Sequence, residues 1–134
     1  MKKVKILIVD DDKDFVRIVS QELTPLGVEI YSAFDGEQAT EVIEEQNFQI
    51  VILDLMLPKK SGFLILPRLK GSEEKKGKVP FVIITTAIGG RRSQMYAVKY
   101  GADKYFEKPF PIIKLIKSVK ECLNKLNQPI DKTG

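Results

Sequence analysis

The sequence predicts an α/β fold in which one parallel sheet is covered by helices on both faces. Strand-like and helix-like segments alternate five times along the 134 residues, an order that favours parallel strands joined by crossover helices. The runs at 4–9 and 50–53 are continuously apolar, as expected of strands buried on both faces. Each run ends abruptly in carboxylates, Asp10 to Asp12 after the first and Asp54 after the second.

Composition is typical of one globular domain with a real core. The chain is 43% hydrophobic and 30% charged. Its apolar runs are too short to cross a bilayer and the start of the chain lacks a signal-type apolar stretch, so we expect a cytoplasmic protein without membrane contact. The single cysteine, Cys122, has no internal disulfide partner and no histidine to activate it, which favours a packed thiol over a nucleophile.

Charge is divided unequally along the chain. Residues 1–58 carry five Lys or Arg and twelve Asp or Glu, whereas residues 59–134 carry seventeen and six. The basic half would suit an acidic protein partner. It shows no zinc-finger spacing and no basic–aromatic strand pattern, so we expect no direct nucleic-acid binding. We interpret most of the lysines as a solvated surface.

The first half of the chain predicts three strands and two helices. The strands are at 4–9, 28–32 and 50–53, the second of them an edge strand. A helix is predicted over 13–24, with Asp12 as its N-cap and with Pro25 and Gly27 as the residues that stop it. Its inward face is predicted to consist of Phe15, Ile18, Val19 and Leu23. A second helix, over 37–46, turns Ala39, Val42 and Ile43 inward and its glutamates outward.

The second half predicts two strands and three helices. Ser61 can cap a helix over 62–70, which we expect to be short, kinked or restarted because Pro67 lies inside it. A polar loop over 71–78 leads to a strand over 81–84, followed by Thr85 and Thr86. Then come a helix over 91–100, a strand over 104–107 and a helix over 111–126. We expect one domain over 1–127, and a flexible tail or linker start over 128–134.

Polar side chains follow four of the predicted strands: Asp10 and Asp11, Asp54, Thr85 and Thr86, and Lys108. Because the carboxyl ends of parallel strands share one edge of a sheet, these groups should meet there. Clustered carboxylates repel unless a cation joins them, and hard oxygen ligands suit Mg²⁺. A lysine and a threonine hydroxyl would complete a phosphate site. Aspartate is a known nucleophile in phosphoryl transfer, but spacing alone does not say which aspartate acts.

The chain resembles the receiver domains of two-component response regulators over about residues 4–126. The matching segments are ILIVDDD, VILDLMLPKKSG, VIITTA and EKPF, in that order at the ends of the first, third, fourth and fifth strands. Together they are specific, although each alone is weak. The resemblance implies a flavodoxin-like, three-layer (βα)5 sandwich whose doubly wound sheet has strand order 2-1-3-4-5, an order also named in general descriptions of this fold.

The resemblance also implies roles for single residues. Asp54 would be the phosphoacceptor. Asp10 and Asp11 would hold Mg²⁺ together with Asp54 and the backbone carbonyl of Met56. Lys108 would bind the phosphoryl group, and the Lys108–Pro109 bond resembles a peptide that is often cis in the family.

Two further positions match the switch of the family. Thr86 resembles the hydroxyl that turns toward the phosphoryl group, and it is chosen over Thr85 because the small Ala87 follows it. Tyr105 matches the aromatic switch position, although a half-buried strand tyrosine would have the same pattern. A histidine kinase or phosphotransfer protein would be the donor. The basic surface of the fourth helix, fifth strand and fifth helix would then dock an acidic partner or a second copy.

Lys59, Lys60 and Ser61 depart from the family pattern, which often has Met-Asp before the glycine. This change alters surface charge near the site but removes no reactive group. A different class, an aspartyl-phosphate hydrolase, would need a second acid two residues after the nucleophile, where Met56 stands. We therefore expect no enzyme beyond self-phosphorylation and dephosphorylation. A phosphorylation-independent binding module is the remaining alternative. A nucleotide or flavin site is disfavoured because no glycine-rich loop follows the first strand.

Overall fold

A computed structural model describes residues 3–71 and 79–127 of the chain. Its centre is one sheet of five parallel strands in the order β2-β1-β3-β4-β5. The strands are β1 (Lys5–Val9), β2 (Glu29–Ala33), β3 (Ile50–Leu53), β4 (Phe81–Thr86) and β5 (Lys104–Glu107). The predicted fold class and strand order are confirmed.

Helices cover both faces of the sheet. They are α1 (Lys13–Leu23), α2 (Gly36–Glu45), α3 (Gly62–Lys70), α4 (Arg91–Lys99) and α5 (Ile112–Asn127), with a 3-10 turn at Thr24–Leu26. α1 and α5 pack on one face and α2, α3 and α4 on the other, which gives two apolar layers divided by the sheet. β1 and β3 are completely buried between these layers, apart from the first residue of β1. This burial explains their continuous apolar sequences.

Side-chain caps fix where three of the helices begin. Asp12 accepts a hydrogen bond from the Phe15 N–H at 3.1 Å, and Asp35 accepts one from the Gln38 N–H at 2.8 Å. Ser61 accepts one from the Phe63 N–H at 3.1 Å. Each cap pairs an N–H group that the first helical turn leaves without a partner. The predicted caps Asp12 and Ser61 are confirmed.

Pro67 does not break α3. A proline lacks the N–H that would normally bond to the carbonyl four residues earlier, here that of Phe63. The hydroxyl of Tyr96, on α4, donates to this Phe63 oxygen instead. The Phe63 and Tyr96 rings also meet edge to face, with centroids 5.0 Å apart. A side chain of the neighbouring helix thus pairs the carbonyl that Pro67 leaves free.

One prediction about the core is wrong. Ile18 is 41% exposed, whereas Val16, Val19 and Leu23 form the buried stripe of α1. α1 is therefore rotated so that its apolar stripe centres on Val16 and Val19, and Phe15 packs only at the edge of this layer.

β3, α3 and β5 have the predicted boundaries, and the boundaries of the other elements lie within two residues of the predicted ones, the usual variation at the ends of elements. The predicted tail at 128–134 and most of the loop at 71–78 lie outside the described residues. Within the described ranges, no helix has both the length and the apolar character that a membrane span requires.

Candidate functional site

Three carboxylates meet at the carboxyl edge of the sheet. One oxygen from each of Asp10, Asp11 and Asp54 lies within 4.8 Å of the other two. The strand register brings them together, because Val9 pairs with Leu53 and the Asp54 N–H donates to the Val9 carbonyl at 2.9 Å. Asp10 and Asp54 are buried, while Asp11 is exposed. The cluster is therefore open to solvent on one side only.

Lys108 reaches this cluster from the end of β5. Its Nζ donates to Asp10 Oδ2 at 2.7 Å and lies 3.6 Å from Asp54 Oδ2. The Lys108 N–H donates to the Thr86 carbonyl at 2.8 Å, which extends the pairing of β4 and β5 by one residue. The Lys108–Pro109 peptide is cis, as the resemblance implies. One ammonium group thus bridges two buried carboxylates.

Burial and hydrogen bonding have opposite effects on the pKa values of the buried aspartates. Burial raises the pKa of Asp10, against the lowering effects of the Lys108 hydrogen bond and the Asp12 N–H. Burial likewise raises the pKa of Asp54, against the Met56 N–H and the Lys108 charge. For Lys108, burial is the largest single effect and lowers the pKa. The Asp10 hydrogen bond and the charges of both carboxylates together outweigh it, so the lysine pKa lies above its usual value. The lysine is therefore held in its charged form.

The two threonines at the end of β4 have different surroundings. Both are fully buried. Thr86 lies beside Asp54, and its hydrogen bond to that carboxylate lowers the Asp54 pKa. Its Oγ1 also accepts from the Ile88 N–H at 3.3 Å. The Thr85 hydroxyl has no hydrogen-bond partner within the described part of the chain. Thr86, the threonine chosen from the sequence, is thus the one that belongs to the site.

Tyr105 and Met56 also touch the site or its loops. The Tyr105 hydroxyl donates to the Ile88 carbonyl at 2.9 Å, in the loop that follows Thr86. The Met56 N–H donates to Asp54 Oδ1 at 2.9 Å, which orients the carboxylate, while the Met56 side chain points into solvent with 57% exposure. The role of the Met56 carbonyl as a metal ligand stays a prediction.

The donor set fits Mg²⁺. Three carboxylates from residues 10, 11 and 54 offer hard oxygen atoms at close range, and a small divalent cation would offset their mutual repulsion. One side remains open for water or phosphate oxygens, which Mg²⁺ usually retains. The site is thus chemically suited to a divalent cation held beside a phosphoryl group.

Two features of the site were missed from the sequence. The Phe15 ring, which we had placed in the core, lies 4.5 Å from Lys108 Nζ. Gly62 packs so closely under the site that a β-carbon there would lie 2.2 Å from the Asp54 carbonyl oxygen. The signal for the first was that α1 begins directly after the acidic cluster. The signals for the second were that Gly62 follows the Ser61 cap and ends the family-like segment VILDLMLPKKSG.

The chain is similar to several proteins of one family. A family model described as "Response regulator receiver domain" matches residues 6–120. The chain is 32% identical over 128 residues to a "Probable transcriptional regulator ycf27" of Porphyridium aerugineum, covering 96% of this chain and 51% of that protein. A second ycf27 regulator, of Cyanophora paradoxa, is also 32% identical. The chain thus spans about half the length of the curated relatives it matches.

Solved structures agree with the sequence matches. The BeF3-activated DrrB receiver domain has a TM-score of 0.78 at 34% identity, covering 92% of this chain and 99% of that one. The response regulator DrrB of Thermotoga maritima, an OmpR/PhoB homolog, has a TM-score of 0.78 at 32% identity, covering 99% of this chain and 58% of that one. The family match, these structures and the strand order all agree: the chain belongs to the response regulator receiver domains of two-component systems.

Proposed function

We propose that this receiver domain is a signalling switch that accepts a phosphoryl group on Asp54 from a histidine kinase or phosphotransfer protein. The observation that carries the proposal is the surroundings of the Asp54 carboxylate. The Met56 N–H holds its Oδ1, while its Oδ2 lies 3.6 Å from the Lys108 ammonium. Asp10 and Asp11 supply further oxygens at close range. Such a site can bind a phosphoryl group next to a nucleophilic carboxylate.

Asp10, Asp11 and Asp54, with the Met56 carbonyl, are the residues that would hold Mg²⁺. When bound, this ion offsets the charge that builds up on the carboxylates and phosphoryl oxygens. In the transfer, an Asp54 oxygen forms a bond to phosphorus as the bond from phosphorus to the donor imidazole nitrogen breaks. The imidazole keeps that electron pair and takes up a proton. Lys108 contacts a phosphoryl oxygen as a compact positive charge.

The signal would leave the site through Thr86. A phosphoryl group adds negative charge and strong acceptor oxygens, which attract the Thr86 hydroxyl. Thr86 now accepts from the Ile88 N–H, and Tyr105 donates to the Ile88 carbonyl, so one loop joins both side chains. A shift of Thr86 would move this loop, change the Tyr105 rotamer and remodel the surface of α4, β5 and α5.

The surface of α4, β5 and α5 is basic, which fits an acidic downstream partner or a second copy of the chain. Its exposed cations include Arg91, Arg92, Lys99, Lys104 and Lys117. We propose that the domain works in the cytoplasm, and that it catalyses only its own phosphorylation and dephosphorylation. A hydrolase of aspartyl phosphates would need a second acid two residues after Asp54, and this chain has Met56 there.

Intact-mass spectrometry after incubation with acetyl phosphate tests the proposal. We expect one added phosphoryl group that requires Mg²⁺ and is absent from Asp54→Asn. Asp14→Asn is the matched control, since Asp14 is an exposed aspartate paired only with Arg17 at 3.4 Å. Wild type and this control should label alike. A folded wild type that never labels, even at high Mg²⁺, would favour the phosphorylation-independent binding module instead.

A further inference from the structure

The Lys108 ammonium group lies against an aromatic ring as well as against carboxylates. Its Nζ is 4.5 Å from the centroid of the Phe15 ring, well within the distance at which a cation is attracted to a ring face. The same Nζ donates to Asp10 at 2.7 Å. Lys108 therefore makes a directional hydrogen bond to Asp10 and a non-directional cation–ring contact with Phe15.

The Phe15 ring is held in place from two sides. The backbone N–H of Phe15 donates to the capping carboxylate of Asp12, which fixes the first turn of α1 directly after the acidic cluster. Its ring meets that of Phe110 edge to face, with centroids 6.3 Å apart. Phe110 in turn stacks on Phe106 at 5.1 Å. Since Phe106 and Phe110 flank Lys108 in sequence, this aromatic row and the lysine belong to one packed unit.

We propose that Phe15 is a positioning residue for Lys108, an inference that rests on the proposed phosphorylation of Asp54. A phosphoryl group on Asp54 would offer new acceptor oxygens to the ammonium, which has three N–H donors, and would draw its hydrogen bonding from Asp10 toward Asp54. Lys108 Nζ is only 3.6 Å from Asp54 Oδ2, so the required movement is small. A ring face attracts a cation without fixing the direction of its N–H bonds. Phe15 therefore keeps the ammonium in the pocket while its carboxylate partner changes.

The chain supplies a matched control for this contact. Lys13 Nζ lies 5.3 Å from the Phe34 ring, so the same helix makes a second cation–ring contact that does not involve Lys108. Phe34→Leu removes that ring and leaves Phe15 intact. Phe15→Leu removes the ring at the site but keeps apolar bulk, and Phe15→Tyr restores a ring. The three variants separate an effect on Lys108 from a general loss of aromatic packing.

The test measures the rate of Asp54 phosphorylation by acetyl phosphate at saturating Mg²⁺. We expect Phe15→Leu to slow it by roughly 3- to 10-fold, the size of a partly desolvated cation–ring contact. Phe15→Tyr and Phe34→Leu should stay near the wild-type rate. An unchanged rate in folded Phe15→Leu, or an equal loss in Phe15→Tyr, would overturn the assignment. So would an equal loss in Phe34→Leu.

A second measurement needs no phosphorylation. In a proton NMR spectrum of the wild type, the ring current of Phe15 should shift the Lys108 ε-methylene protons upfield relative to those of exposed lysines. This shift should vanish in Phe15→Leu and persist in Phe15→Tyr. Its absence from the folded wild type would refute the contact. If the wild type shows the shift but never labels with phosphate, the proposed function fails while the contact stands.

Discussion

Asp54 is almost fully buried, and this burial raises its pKa in the folded protein. In the unfolded chain an aspartate titrates near pH 4. Between these two pKa values the folded state binds more protons than the unfolded state, so the free energy of unfolding falls as pH rises through this window. At neutral pH without a cation, the ionised Asp54 therefore destabilises the fold.

Asp54→Asn should consequently be more stable than wild type at pH 7 in the absence of divalent cations. We expect its Tm to be higher by about 3 °C, the shift that a small change in the free energy of unfolding produces in a domain of this length. The difference should shrink as pH falls to 4 and below, because the wild-type carboxyl then becomes protonated in the unfolded state as well as in the folded state. Thermal denaturation between pH 3 and 7 measures this, with the exposed Asp14→Asn as control. A lower Tm than wild type at pH 7 would contradict the prediction.

The two neighbouring threonines should respond in opposite directions to loss of their hydroxyls. Thr85 buries an oxygen without a hydrogen-bond partner in the described part of the chain, so Thr85→Val should stabilise the protein by about 1 kcal/mol. Thr86 hydrogen-bonds to Ile88 and Asp54, so Thr86→Val should destabilise it by a similar amount. Urea denaturation of both variants provides the comparison. Equal effects of the same sign would show that the two hydroxyls have similar surroundings.

At the level of single residues, the sequence predicted the charged members of the site and missed the aromatic one. Asp10, Asp54 and Lys108 could be placed because a parallel sheet brings its strand ends to one edge. Phe15 could not, because its contact with Lys108 depends on how α1 is rotated about its axis and on the rotamers of two long side chains. The same rotation made the prediction for Ile18 wrong.

A hydrogen bond joins α3 and α4 that cannot be predicted from the sequence of either helix alone. Tyr96 donates to the Phe63 carbonyl, which Pro67 leaves without its helical partner. Tyr96→Phe should therefore cost about 1 kcal/mol, the usual net value of a hydrogen bond. In a Pro67→Ala background the carbonyl regains an N–H from its own helix, and the same change should cost much less.

A double-mutant cycle measured by urea denaturation tests this coupling. Tyr100→Phe is the control, since it removes a tyrosine hydroxyl from the C-cap of α4 and leaves the Tyr96 hydroxyl that donates to Phe63. We expect Tyr100→Phe to cost the same in both backgrounds. Additive effects of Tyr96→Phe and Pro67→Ala would mean that the Tyr96 hydroxyl does not compensate for the proline.

The start of α3 packs directly under the site at Gly62. An alanine β-carbon there would lie 2.2 Å from the Asp54 carbonyl oxygen, a backbone atom that cannot move aside alone. Gly62→Ala should therefore cost about 3 kcal/mol, at the upper end of overpacking effects. Gly27→Ala is the comparison, since its β-carbon meets open space and only its φ of 78° is unfavourable. It should cost about 1 kcal/mol. Chemical denaturation gives both values, and equal costs would contradict the close approach.

The elements themselves were largely predictable because their signals are local. Asp12 and Ser61 mark helix starts, and the apolar runs of β1, β3 and β4 need no tertiary information. Pro67 shows the limit. From sequence it predicts a helix over 62–70 that is short, kinked or restarted. The observed α3 has the predicted range, Gly62–Lys70, as one unbroken helix, and a tyrosine from α4 pairs the carbonyl that the proline leaves free. Long-range compensation of this kind cannot be read from local propensity.

The uneven charge along the sequence becomes a division between surfaces of the molecule. α2, which contacts β2 at one edge of the sheet, exposes Glu37, Glu41, Glu44 and Glu45. At the other edge, the exposed charged residues of α4, β5 and α5 are mainly lysine and arginine. The sheet order places the two halves of the chain on opposite sides, with the acidic site at the carboxyl edge between them. The domain thus carries an acidic surface at one edge of the sheet and a basic surface at the other.

Folding brings together carboxylates that are far apart in the unfolded chain, so a cation that binds them should stabilise the whole molecule. Asp54 lies more than forty residues from Asp10 and Asp11, and the unfolded chain has no comparable site. A ligand that binds only the folded state at ten times its Kd stabilises that state by about 1.4 kcal/mol. We therefore expect the wild-type Tm to rise with Mg²⁺ concentration at constant ionic strength.

The Tm of Asp54→Asn should rise less with Mg²⁺ than that of the wild type. The variant lacks one charged ligand, and it also lacks the carboxylate repulsion that the cation relieves. Its advantage in Tm over the wild type should thus narrow as Mg²⁺ is added, while Asp14→Asn should follow the wild type throughout. Differential scanning calorimetry across a Mg²⁺ titration measures all three proteins. Parallel increases in the wild type and Asp54→Asn would place the cation elsewhere. A Tm difference that narrows would instead show that the carboxylates that bind the ion are also the ones that destabilise the metal-free domain.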